Sequence, residues 1–353
     1  MHSPKRIELA EIFQKVEGQR AANLPFAIYS FPNSQEIFTV FQNDDVEHYA
    51  LDFQESGFLF APFDSEQNSI LLKPDSFFVS EYIVQDQIFF KEINPSNRGK
   101  EEHINLINKS INEIKAGNLE KVVLSRMINV ETNSSFLAML KLALQLYTNA
   151  FCYVWYHPKV GMWLGASPEQ LLSVNKGVLR TTSLAGTLPV VDDEKAQWTK
   201  KELDEQQMVT TFLLEELKEI LNDIEVSKVE SIKAGSLWHL KTNITATLTK
   251  KNDLKELIYK MHPSPAVCGL PKKRAKKFIR AHEGYARSFY TGFLGELNLG
   301  QSANTSLFVN LRCMSLNQNQ ATIFVGGGIT KDSNPENEWE ETENKTRTML
   351  SLL

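Results

Sequence analysis

Apolar residues recur at helical spacing over 4–22, which predicts an amphipathic helix near the start of the chain. Four short runs rich in Phe, Ile, Val and Tyr follow and predict strands: FAIYSF (26–31), EIFTVF (36–41), FLFAPF (58–63) and SILLK (69–73). The polar stretch INPSNRGKEE (93–102), with its Pro and Gly, predicts a connection. Helical periodicity resumes over 101–116 and stops at Gly117, a suitable C-cap. Beyond it, KVVLSRMINV (121–130), FCYVWYH (151–157), a pair around 162–174, LFVNLRCMSL (307–316) and ATIFVGG (321–327) read as strands. Segments near 134–148, 193–222, 253–261, 271–283 and 335–352 read as helices. Strands and helices do not alternate one for one, so the pattern predicts an α+β fold rather than a doubly wound parallel sheet. No repeat or low-complexity tract interrupts it.

Composition changes this picture little. The 353 residues are 42% hydrophobic and 23% charged, which is ordinary for a globular protein. A net charge of −5 argues against a nucleic-acid partner, but not against a small anionic substrate, because local fields decide that. Cys152, Cys268 and Cys313 are scattered and odd in number, so reduced thiols are expected. The N-terminal segment has no long apolar core and no apolar run is long enough to span a bilayer. A cytoplasmic protein without membrane partners is therefore expected.

Common catalytic motifs are absent or broken. GASPE (165–169) lacks the final Gly of a nucleophile elbow, and HEGYA (282–286) lacks a second zinc-binding His. GGGITKDS (326–333) lacks the GK[ST] of a phosphate loop, and no GxGxxG occurs. What remains is a set of separated polar residues in apolar or Gly-rich surroundings. Glu338, Glu341 and Lys345 share one helix face after the triple glycine 326–328. Two carboxylates on one face suit Mg²⁺, although taken alone a solvated helix with a salt bridge is the commoner explanation. Glu202 and Glu205, one turn apart, could add a carboxylate or be an ordinary charged face. Lys121, at the start of its strand, is either a base aimed into the sheet or a lysine reaching solvent. Glu169 in WLGASPEQLL is either a buried acid with a raised pKa or a turn cap. Arg312 within its strand needs a carboxylate partner, from substrate or protein. His239 in LWHL is more often a hydrogen-bonded core histidine than a catalytic one.

Taken in order, these segments resemble the chorismate-utilising enzymes, most closely the isochorismate synthases. The match runs from about Asn118 to the end through KVVLSR (121–126), GASPEQLL (165–172), SLAGT (183–187) and LWHLKT (237–242). It continues through HPSPAVCGLP (262–271), FYTGFLGE (289–296), VNLRC (309–313), GGGI (326–329) and SNPENEWEETENK (333–345). The resemblance implies large mixed or antiparallel sheets packed together with helices outside and the site in a cleft. Residues 1–98 would form a loosely matched lobe and 99–353 the catalytic region, in one continuous large domain. It implies Mg²⁺ held by Glu205 and Glu338, with Glu341 close by. Arg312, Lys345 and the backbone near Gly328 would hold the carboxylates of chorismate, a dianion. Gly186, His239, Ala266 and Tyr290 would line the substrate pocket.

The implied reaction adds water at ring C2 of chorismate while the C4 hydroxyl leaves, giving isochorismate. Lys121 has the family role of base and Glu169 that of acid, which requires both to be neutral at one pH. Ammonia-using relatives carry Gln where Lys121 stands, so no glutamine amidotransferase partner is implied. Salicylate synthases share the lysine but carry Thr at Ala266, which argues against the added pyruvate elimination. Gln206 replaces the family's usual His, a change expected to touch the hydrogen bonds around Glu205 rather than the metal itself. A non-catalytic chorismate-binding homologue would be expected to lack Lys121, Glu169 or a metal carboxylate, and none is missing. The resemblance implies a monomer whose product serves menaquinone or siderophore synthesis.

Overall fold

Short, strongly apolar runs bounded by turn residues make most of this chain strand, and the helices carry one apolar face each. The computed structural model describes residues 3–83, 98–190, 196–234, 237–249, 254–300 and 303–353. In chain order the elements begin β1 (Lys5–Arg6), α1 (Leu9–Ala21), β2 (Phe26–Ser30), β3 (Glu36–Phe41), β4 (His48–Ala50), β5 (Gly57–Ala61), β6 (Ser69–Leu72), β7 (Ser76–Glu81) and α2 (Lys100–Lys115). The middle of the chain gives β8 (Lys121–Glu131), α3 (Phe136–Leu146), β9 (Phe151–His157), β10 (Gly161–Ser167), β11 (Gln170–Asn175), β12 (Val178–Pro189) and α4 (Lys200–Leu217). Then come β13 (Leu221–Val226), β14 (Glu230–Ala234), β15 (Leu237–Leu248), α5 (Leu254–Met261), β16 (Gly269–Leu270) and α6 (Lys272–His282). The chain closes with β17 (Phe293–Leu299), β18 (Asn304–Val309), β19 (Cys313–Asn317), β20 (Gln320–Ile329) and α7 (Pro335–Leu350).

These strands form two large sheets. The first runs β1-β7-β3-β2-β9-β10-β19-β20-β8-β16, and the second β13-β15-β12-β11-β18-β17-β5-β6-β4 with β14 beside β15. Among the described residues the pairing is antiparallel except for the parallel β1–β7 contact. The α+β expectation holds, with large sheets and helices outside. The early strands enter both sheets: β2 pairs with β9, and β5 pairs with β17.

The space between the sheets is filled by rings. Phe151 of the first sheet stacks on Phe308 of the second at 4.2 Å, and Phe60 meets Trp155 at 4.8 Å. Pairs of this kind contribute ~1 kcal/mol each beyond the area they bury. Outer faces are covered by helices: α1 and α3 lie over the first sheet, α4 and α5 over the second. Helices α2 and α6 pack on the buried half of β8. All three cysteines are buried and unpaired by disulfides.

Several boundaries differ from the pattern-based expectation. The first helix starts at Leu9, because Lys5–Arg6 pair with β7 instead. The helix expected over 193–222 ends at Leu217, and Leu221 begins a strand; 191–195 lie outside the described residues, as do 93–97 of the connection expected over 93–102. The single strand expected at 307–316 is two strands in different sheets, β18 and β19. Asn310–Arg312 form the crossing between them, with Arg312 at φ +47°, so Arg312 is not a strand residue.

One buried polar contact ties the sheets together: Tyr29 Oη of β2 donates to Glu296 Oε1 of β17 at 2.6 Å. Burial pushes the Glu296 carboxyl up to about 7, against the bond from Tyr29. A carboxyl raised in the folded state favours folding while protonated, and that advantage is lost as pH climbs through 7. Glu296→Gln should therefore stabilise the protein more at pH 8 than at pH 5, by up to about 2 kcal/mol given its partial exposure. Denaturant titrations at the two pH values check this; equal stability changes at both would contradict it.

Candidate active site

Two chain crossings between the sheets build one end of a cavity. The first is Pro168–Glu169, between β10 and β11; the second is Asn310–Arg312. They are bonded to each other: Ala166 N donates to Arg312 O at 2.9 Å, and Val309 N donates to Glu169 O at 2.9 Å. Ser167 Oγ donates to Val309 O at 2.5 Å. Glu169 and Arg312 are thereby placed side by side on the cavity wall. The cavity and its open mouth together take in about 740 Å³, solvent space included.

Most of the sequence-selected residues line it: Glu169, Gly186, Glu205, His239, Ala266 and Tyr290 do, and so do Arg312, Gly328, Glu341 and Lys345. Lys121 and Glu338 stand just behind the lining. A Cβ on Gly328 would lie 3.0 Å from Lys121 Cε and 2.8 Å from Glu205 Oε1. A side chain there would have to push the ends of Lys121 and Glu205 aside. Gly186 interrupts β12 with a bulge at φ +72°, a conformation that favours glycine, and its carbonyl accepts from His239 Nδ1 at 3.0 Å.

The electrostatics are dense. Burial pushes the Glu169 carboxyl up to about 7, although Lys121, Arg312 and Lys345 pull against it. Burial, with Arg312 and Lys345, takes His239 down to about 3, so its ring is neutral. Since a carbonyl only accepts, Nδ1 carries the proton. Lys121 is 0% exposed and so does not reach solvent, and its Nζ donates to Glu205 Oε1 at 2.7 Å. Burial alone would push Glu205 up, yet Lys121, with Lys201 and Lys345, holds it below the usual carboxylate value.

Helix α7 supplies the remaining charges. Asn334 caps it, accepting from the N–H groups of Glu336 and Asn337. Arg126 of β8 locks its outer face, bonding Thr342 and Glu343 and lying over the Trp339 ring at 4.0 Å. Its inner face then presents Glu338, Glu341 and Lys345 to β20. Lys345 Nζ bonds Gly326 O at 2.9 Å and Glu341 Oε1 at 2.5 Å. Burial and the neighbouring Glu341 raise the Glu338 carboxyl. Lys201 of α4 donates to its Oε1 at 2.6 Å.

Residues 79–353 match the sequence signature described as chorismate binding enzyme. The chain belongs to that family. Isochorismate synthase MenF of Escherichia coli strain K12 is 32% identical over 269 residues, covering 73% of this chain and 61% of the relative. Isochorismate synthase EntC of the same organism is 31% identical over 246 residues, covering 67% and 62%. The chain thus matches about three fifths of the length of these curated relatives. The crystal structure titled putative 2,3-dihydroxybenzoate-specific isochorismate synthase DhbC, from Bacillus anthracis, shares the fold. Its TM-score is 0.80 at 24% identity, over 94% of this chain and 96% of that one.

The paired carboxylates of α7 make a divalent cation the group to test against this cavity. Among the described residues, no three His, Cys, Asp or Glu side chains gather closely enough to close a metal centre unaided. Mg²⁺ does not need that: it takes one or two carboxylates and completes its shell with water and substrate oxygens. Glu338 Oε2 is buried without a hydrogen-bond partner. It lies 3.8 Å from the Cβ position of Gly327, where Glu341 Oε1 lies at 3.7 Å. Two hard oxygen donors therefore converge over bare backbone, and the donor set fits the ion.

Glu202 does not join it, since its carboxylate closes a capping box with Thr199 at the start of α4. Gln206 also turns away, donating to Ser183 O at 3.0 Å and Thr242 Oγ1 at 3.1 Å. Lys201 is the site residue that the sequence reading missed. Its i, i+4 spacing to Glu205 was the available signal.

Proposed function

We propose that the chain is an isochorismate synthase, which isomerises chorismate by adding water at ring C2 and expelling the C4 hydroxyl. The observation that supports this most is the convergence of a buried lysine and a buried, proton-holding carboxyl on one cavity lined by cations. Relatives named isochorismate synthases support it independently.

In this reading Arg312, Lys345 and the backbone near Gly328 hold the two carboxylates of chorismate. Gly186, His239, Ala266 and Tyr290 shape the ring pocket. Water is a poor nucleophile, so Lys121, as a neutral amine, takes its proton; hydroxide is a poor leaving group, so Glu169 donates one. Lys121 therefore has to release Glu205, to which its Nζ donates here. Glu205 and Glu338 would hold Mg²⁺ directly and Glu341 through water. When bound, the ion fixes the ring carboxylate of the substrate and offsets its charge. The enzyme would act as a cytoplasmic monomer without an amidotransferase subunit; among the described residues no helix is long and apolar enough to cross a membrane.

Two measurements test this. Glu169→Gln, which cannot donate the proton, should lower kcat/KM by about 10²-fold or more. Turnover within tenfold of the unmodified protein would remove Glu169 from the acid role. In a lactate-dehydrogenase-coupled assay, chorismate turnover should release no pyruvate. Stoichiometric pyruvate would place the chain with the salicylate synthases and show that Ala266 does not block elimination.

A further inference from the structure

Each proposed metal carboxylate carries a lysine in this structure: Lys121 on Glu205, Lys201 on Glu338 and Lys345 on Glu341. The three ammonium groups are not equivalent. Lys121 has no exposed surface, and Lys345 is also bonded to Gly326 O. Lys201 is different. It rises from the first turn of α4, leaves 27% of its side chain in solvent, and ends 2.6 Å from an oxygen of a carboxylate that is 1% exposed. Glu341 and Glu205 add their negative fields to that of Glu338 at this ammonium. Those are the same three carboxylates that the divalent ion would join. Lys201 Nζ thus sits where their fields meet, on a long stem whose exposure gives it a path out.

We propose that Lys201 is a resident counter-ion of the metal site, neutralising Glu338 until a divalent cation displaces it towards solvent. This rests on the metal reading above and adds a competitor to it. A carboxylate this buried without a cation is strongly destabilising, so some positive charge has to stand there in the metal-free protein. Two cations cannot share Glu338 without repulsion in a site of low dielectric. Lys201 would therefore hold the metal-free fold together and weaken metal affinity.

The test is Mn²⁺ binding without substrate, followed by loss of the free-ion EPR signal, for the unmodified protein, Lys201→Met, Lys201→Gln and Glu338→Gln. Both Lys201 variants should bind Mn²⁺ about tenfold more tightly, because one charge-assisted hydrogen bond no longer has to break. Their thermal midpoints in EDTA should fall, and should rise on adding Mn²⁺ by more than that of the unmodified protein. Unchanged or weaker Mn²⁺ binding by both variants, with the unmodified protein binding normally, would overturn the counter-ion role and leave the metal site standing. Absence of Mn²⁺ binding in all four proteins would overturn the metal reading itself, and this proposal with it.

Discussion

Lys121→Ala should lower kcat for chorismate by about 10³-fold, the upper range for loss of a positioned base, with chorismate affinity changed less than tenfold. The reasoning is geometric. Lys121 has no exposed surface and its Cε packs beside Gly328, so its amine reaches only the interior of the site. Arg312 and Lys345, which face the substrate carboxylates in the proposed pose, are untouched by the change. Truncation also strips Glu205 of the ammonium at 2.7 Å, which leaves a buried carboxylate short of one counter-charge. Loss of fold and loss of base are separated by measuring the thermal midpoint and equilibrium chorismate binding in the same preparation. Lys121→Arg, which keeps the charge but stays protonated, should hold stability and fail to restore turnover. Turnover within tenfold of the unmodified protein in either variant would end the base assignment.

Glu338→Gln should reduce turnover by about 10²-fold or more and shift the Mg²⁺ concentration needed for half-activity upward by at least about tenfold. The substitution preserves shape, and Glu338 is 1% exposed, so packing around α7 is retained. What changes is charge and donor quality, because an amide oxygen is a poor substitute for a carboxylate at a hard cation. The loss should follow the ion. Raising Mg²⁺ should recover part of the activity, whereas raising chorismate alone should not. An Mg²⁺ titration identical to that of the unmodified protein would exclude Glu338 from the site.

Much of this molecule was legible along the chain, for reasons specific to each segment. The runs FAIYSF and FCYVWYH are buried on both faces, so composition alone marks them as strands, now β2 and β9. By contrast β12 and β15 contain TTSLAGT and TNITATL, whose many threonines give no apolar run, although they pair along most of their length. Their ladder joins residues about sixty apart, a separation no local pattern encodes. Arg312 was misplaced because LFVNLRCMSL is rich enough in apolar residues to read as one strand, whereas the chain changes sheets at its centre. The family resemblance located the cavity residues, since each motif carries its own site residue. Motifs do not show pairings. Lys121 meets Glu205 across 84 residues and Lys201 meets Glu338 across 137, so both contacts exist only once the sheets and α7 are assembled.

The central claim is the chemical outcome, and product analysis from both directions tests it most directly. Purified protein would be given chorismate in one set and isochorismate in another, each with Mg²⁺ or with EDTA, and the products resolved by chromatography. The account predicts that both Mg²⁺ sets converge on one mixture of chorismate and isochorismate without pyruvate, while the EDTA sets stay unchanged. Salicylate accompanied by stoichiometric pyruvate, or no conversion while chorismate still binds, would contradict it.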